Sequence, residues 1–215
     1  MPILVCRKTF IVPAILAALV GLFLHDYHSL DFTSGLVRGK RVLVTGASRG
    51  IGRHVALHYA RLGAQVVITG RDEAALKRVR DECELAAREA SSTWPSSSPE
   101  DAVAVFHLVA DLEGTSLSSA EDLLSSAVSL LGGGLDVLFL NHTVSTLGFW
   151  TGSPENVTSA ARAVDVNYLS FVALVSAAKR HLEASGGSVT AVSSATARWP
   201  MPSVRVSFFG DIPML

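Results

Sequence analysis

From Lys40 to Val192, short apolar runs alternate with stretches of helical spacing, and this alternation constrains the fold more than any other feature of the chain. The runs are residues 41–45 (RVLVT), 64–69 (AQVVIT), 102–109 (AVAVFHLV), 135–140 (LDVLFL) and 188–192 (SVTAV). Between them, residues 51–62, 72–90, 116–131 and 154–184 have helical spacing, the last as one long helix. Strands that are apolar along their whole length are buried on both faces, and this needs helices on both sides of a parallel sheet. The expected fold class is therefore α/β with a doubly wound parallel sheet. Residues 91–99 (SSTWPSSSP) interrupt the pattern and read as a surface loop. The chain of 215 residues is 49% hydrophobic and 17% charged, with a net charge of −1, which excludes a disordered polypeptide and leaves no electrostatic footprint for nucleic acid. Two cysteines, Cys6 and Cys83, cannot form a disulfide framework.

The turn between the first run and the first helix reads Thr45-Gly46-Ala47-Ser48-Arg49-Gly50-Ile51-Gly52. Glycines let the backbone turn sharply and approach a pyrophosphate, and the following helix N-terminus offers free N–H groups and the positive end of its dipole. Strand, turn and helix occur in the order that such a site requires. The spacing G-x-x-x-G-x-G, with Thr45 before it, resembles the short-chain dehydrogenase/reductase family. Asp111-Leu112, after the third strand, looks like that family's adenine-contacting Asp-Leu, and Asn141-His142-Thr143 stands where the family has an Asn-Asn-Ala-Gly turn. The Asn-His version, the stretch 166–170 (VNYLS) and residues 192–194 (VSS) are similar to the 11β-hydroxysteroid dehydrogenase type 1 branch. The resemblance runs from about Lys40 to Ser194. It implies a Rossmann-like sheet of strand order 3-2-1-4-5, without the family's final strands.

Charge narrows the cofactor. A carboxylate at the end of the second strand would bind the ribose 2′-OH of NAD, whereas a cation there suits a 2′-phosphate. The strand ends Thr69-Gly70-Arg71, and Arg49 in the turn is a second cation, so NADP(H) is expected. Asp72 argues the other way, unless it is an N-cap of the following helix. The resemblance implies hydride transfer to or from a carbonyl or alcohol, with Ser194 holding the substrate oxygen and Asn167 completing a proton relay. The family's Tyr-x-x-x-Lys pair, which moves the proton, is absent: the tyrosines are Tyr27, Tyr59 and Tyr168, and no Lys follows Lys179. Without gaps, the Tyr and Lys positions would fall on Ser207 and Asp211. The expectation is an oxidoreductase by family, inactive as it stands, with a non-catalytic form that binds NADP or competes for dimer partners as the alternative. A steroid or other hydrophobic carbonyl or alcohol would be the substrate class. The homodimer of the family is doubtful here, because the helix that covers residues 154–184 is missing.

The sequence divides into a cytosolic stretch 1–8, an uncharged apolar run 9–24, a connector 25–39, the incomplete cofactor domain 40–203 and a divergent tail 204–215. The run 9–24 would make a helix of about 24 Å, and Arg7 and Lys8 before it can snorkel to the headgroups. This predicts a single-pass anchor in the endoplasmic reticulum membrane with a lumenal domain. A cleaved signal, leading to secretion, and a buried helix are the alternatives. Lumenal topology would make the sequon at Asn156 usable. His54 and His58 share a helix face without an intervening Glu, so no metal site is expected.

Overall fold

The computed structural model describes residues 34–91, 103–145, 151 and 153–194. The apolar run 9–24, expected to be an anchor, most of the 91–99 loop and the 204–215 tail lie outside the described residues. The chain divides into two units, Met1–Leu36 and Val37–Leu215. Only Ser34–Leu36 of the first is described, within a single helical turn, Ser34–Val37.

The second unit is built from β1 (Arg41–Thr45), α1 (Gly50–Arg61), β2 (Gln65–Gly70), α2 (Glu73–Ser91), β3 (Val105–Val109), α3 (Leu117–Leu130) and β4 (Val137–Leu140), in that order. After β4 come α4 (Pro154–Val164), a π-helical segment (Asp165–Leu169), α5 (Ser170–Ser185) and β5 (Ser188–Ala191). The five strands form one sheet of order β3-β2-β1-β4-β5, and every pairing is parallel. The expected α/β class and strand order are both present.

Period-two alternation sorts the strand side chains onto two faces. Leu43, Val67 and Leu138 face one way and pack with Leu124 and Val128 of α3 and with Phe171, Leu174 and Leu182 of α5. Val42, Val44, Val66 and Ile68 face the other way and pack with Ala56 and Ala60 of α1 and Leu76, Val79 and Cys83 of α2. Gly52, Ala56 and Ala60 are the buried residues of α1. They lie four apart, so the helix meets the sheet along a stripe of small side chains. The start of α3 is set by Ser116, whose Oγ accepts from the Ser119 N–H while Ser119 Oγ accepts from the Ser116 N–H. Gly186, at φ 60°, ends α5 in the left-handed conformation.

The long helix expected over residues 154–184 is not continuous α-helix, because the π-helical turn Asp165–Leu169 splits it. Pro154–Ser185 is the one helical stretch among the described residues that is long and apolar enough to cross a membrane by length and composition. Its inward residues Phe171, Leu174, Ala178 and Leu182 belong to the core, which accounts for much of that hydropathy.

Asn156, the asparagine of the sequon, lies in the first turn of α4. Asn156 is only 3% exposed, and its Oδ1 accepts from both the N–H and the hydroxyl of Thr151. Cys83 is buried in α2, and burial pushes its thiol up to about 12. In a Cys6→Ser background, maleimide is expected to label Cys83 only after unfolding; labelling of the native chain at the rate of a free thiol would contradict this burial.

Candidate functional site

In a sheet of this order, the chain leaves β1 and β4 in opposite directions, which opens a crevice at their carboxyl ends. A groove of about 320 Å³ lies there. Its lining comes from the carboxyl end of each of the first four strands: Gly46 and Ser48 to Ile51 at β1, Gly70 and Arg71 at β2, Ala110 to Leu112 at β3, and Asn141 to Val144 at β4. Val166 of the π-helical segment completes it.

The glycine turn is shaped by close approach. Gly46 has φ 63°, and a Cβ on it would lie 2.7 Å from Cα and 2.8 Å from N of His142. Gly52 has no room either, since a Cβ there would lie 2.5 Å from the Gly46 carbonyl oxygen. Gly50 has nearly the same φ as Gly46, at 59°, but nothing lies within 4 Å of a Cβ. The first two glycines let β1, α1 and the end of β4 approach one another, and the third leaves open space at the groove. Helix α1 begins without a side-chain cap and with no acidic residue in its first turn. Its first N–H groups and dipole therefore favour an anion. Arg49 and Arg71 line the same groove.

The turn after β4 is held by side chains. The Thr45 hydroxyl accepts from the Asn141 N–H at 3.0 Å, and Asn141 Nδ2 donates to the Gly46 carbonyl at 3.1 Å. Asn167 Oδ1 accepts from the Val144 N–H at 2.8 Å and from the Thr143 hydroxyl at 3.1 Å, while its Nδ2 donates to the Val144 carbonyl at 3.0 Å. The groove wall from Asn141 to Val144 is thus bonded to β1 on one side and to the π-helical segment on the other.

The short chain dehydrogenase family profile matches residues 40–206. The chain belongs to the short-chain dehydrogenase family. It is 39% identical over 190 residues to the hydroxysteroid 11-beta-dehydrogenase 1-like protein of Xenopus tropicalis, covering 87% of this chain and 58% of that relative. The chain therefore spans little more than half the length of that curated relative. Among solved structures, a short-chain type dehydrogenase/reductase from Mycobacterium marinum is 26% identical with a TM-score of 0.64, covering 80% of this chain and 62% of that one. A short chain dehydrogenase from Shigella flexneri, solved in complex with NADP, shares the fold at 24% identity and a TM-score of 0.64, over 78% of this chain and 64% of that one.

Of the family positions expected from sequence, the groove brings together Gly46, Ser48, Arg49, Gly50, Ile51, Arg71, Asp111, Leu112, Asn141, His142 and Thr143. Others lie off its lining. Ala47 is fully buried, and its N–H donates to the Thr69 carbonyl at 3.1 Å. Gly52 is buried in the first turn of α1. Asp72 is also absent from the lining, and its Oδ1 accepts from the Ala75 N–H at 2.9 Å, the N-cap role that the sequence offered. Asn167 makes its three side-chain bonds to Thr143 and Val144, behind the lining. Ser194 is exposed, three residues past the end of β5 and outside the groove lining.

Sequence reasoning missed Gly70, Ala110, Val144 and Val166 as lining residues. The first three adjoin positions it had named and were reachable as strand-end neighbours. Val166 was not, because its place depends on the π-helical turn.

Proposed function

We propose that the groove binds NADP(H), a cofactor whose nicotinamide can give or take a hydride. The observation that carries this reading is the charge at the end of β2, where Arg71 lines the groove and the neighbouring Asp72 carboxylate is turned to the α2 backbone. A 2′-phosphate would meet Arg71 and Arg49 without an opposing acid. The left-handed Gly50 with open space above it and the uncapped start of α1 suit a pyrophosphate. Saturating NADPH is expected to raise the melting temperature of the full chain more than NADH does. Arg71→Ala should weaken NADPH binding at least about tenfold, the size of one charged hydrogen bond, and leave NADH affinity unchanged. Equal shifts with both cofactors would sink the preference.

The relatives' names point to hydroxysteroid chemistry, and a steroid or similar hydrophobic carbonyl or alcohol is the substrate class of this reading. The printed sequence carries no Tyr-x-x-x-Lys, so the chain as it stands binds cofactor without turnover. A carbonyl reductase assay of the full chain with NADPH tests this, and turnover above a heat-treated control would refute it. Placement in the endoplasmic reticulum membrane, with the domain lumenal, rests on the uncharged run 9–24 after Arg7 and Lys8. Protection of the domain from protease in intact microsomes is the expected result.

A further inference from the structure

His142 lines the groove and yet is 8% exposed, so its backbone meets the site while its ring points into the protein. The ring bridges two hydroxyls. Nδ1 lies 2.7 Å from Thr45 Oγ1, and Nε2 lies 2.7 Å from Ser170 Oγ. Phe171 stands edge-on to it at 4.5 Å between ring centres.

The protons in this cluster can be counted. A neutral imidazole has one N–H and one lone pair, and each hydroxyl has one proton. Ser170 also donates to the Val166 carbonyl at 2.6 Å, and Thr45 to the Phe139 carbonyl at 3.3 Å. With a neutral ring, one hydroxyl must turn its proton to the ring. The long Thr45–Phe139 bond is the weaker, so Thr45 O–H donates to Nδ1. Nε2–H then donates to Ser170 Oγ, and Ser170 keeps its short bond to Val166. Burial favours the neutral ring.

The result is a one-way chain of donors, Asn141 N–H, Thr45 O–H, His142 Nε2–H and Ser170 O–H, that ends on the Val166 carbonyl as acceptor. It starts beside the glycine turn and ends on a residue that itself lines the groove. We propose that His142 is a positioning residue of this groove, a neutral Nε2–H imidazole that locks the glycine turn to the π-helical segment and so sets the shape a dinucleotide meets. The positioning role rests on the NADP(H) reading above; the proton arrangement does not.

Two measurements on the full chain test it. First, ¹⁵N spectra of histidine-labelled protein should show His142 as the Nε2–H tautomer, without cofactor. An Nδ1–H tautomer would overturn the arrangement. Second, NADPH titrations should show His142→Gln and Ser170→Ala each weakening affinity about fivefold, the size of one neutral hydrogen bond. The double variant should be no weaker than the worse single, because both changes break one link. Ser185→Ala, which removes a hydroxyl bonded to the Leu135 carbonyl at the far end of α5, should lower the melting temperature and leave affinity unchanged. If the His142 and Ser170 variants also melt lower but bind NADPH as the wild type does, His142 is merely structural. If wild-type chain with the Nε2–H tautomer binds no NADPH, the cofactor reading fails, and the positioning role fails with it.

Discussion

Gly46→Ala is expected to destabilise the domain by about 3 kcal/mol or more, while Gly50→Ala costs about 1 kcal/mol. Both residues sit in the left-handed region, at φ 63° and 59°, so the intrinsic strain of adding a Cβ is the same, about 1–2 kcal/mol. Their surroundings differ. The Cβ at position 46 would press on the His142 backbone at 2.7 Å, and that backbone belongs to the wall bonded to Thr45 and Asn167. Moving it means breaking those bonds, which adds about 1–3 kcal/mol of overpacking. The Cβ at position 50 meets nothing within 4 Å. Urea unfolding of the two variants measures the difference directly. Gly50→Ala should keep the fold and, if the groove holds NADP(H) as proposed, lose NADPH binding, because its methyl enters the open space that the phosphates would need. Similar losses of stability at both positions would show that strain alone, and not the approach of β4 to the turn, governs this loop.

Acidification should weaken the fold through one side chain. Burial takes the His142 ring from its ordinary 6.5 down to about 3. In the unfolded chain it gains a proton below about 6.5, and in the folded chain it does not until about 3. The unfolded state therefore binds more protons across that interval, and stability falls as the pH falls. Between pH 7 and pH 5 the loss from this group is about 2 kcal/mol, at roughly 1.4 kcal/mol per pH unit below its ordinary value. His181, held low by burial and by the charge of Arg180, acts in the same direction from a more exposed position. Asp136, kept ionised by its hydrogen bonds to Arg41, contributes stability that is lost only below the ordinary carboxylate range. Denaturant titrations at pH 7 and pH 5 should therefore differ by about 2 kcal/mol in the wild type, and His142→Gln should remove most of that difference. An undiminished difference in the variant would place the acid sensitivity elsewhere.

The same residue shows how far the sequence could be read. His142 was legible as part of a strand-end turn, because Asn141-His142-Thr143 follows an apolar run and resembles the family's Asn-Asn-Ala-Gly turn. Its ring environment was not legible, since Thr45 and Ser170 lie 97 and 28 residues away in the chain. Asp72 makes a similar point. Composition left it open between a ribose ligand and a helix cap, and only the bond to the Ala75 N–H decides for the cap. Asn156 reads as a sequon by local pattern, which carries nothing of its two hydrogen bonds from Thr151. The break in the long helix was also out of reach, because 154–184 keeps helical spacing throughout, and a π turn leaves no mark in hydrophobic period.

Local chemistry was sufficient for the parallel sheet and the turn that opens the groove, while the strand order came from the family resemblance. Apolar period distinguishes strand from helix, and a glycine pattern between them specifies a backbone path, so both can be read within a dozen residues. Tertiary structure alone decided which side chains face the groove, which carboxylate is engaged elsewhere and which histidine is held neutral. Those outcomes depend on groups brought together by crossovers between parallel strands, and burial and hydrogen bonding act on distance in space, which the order of residues does not carry.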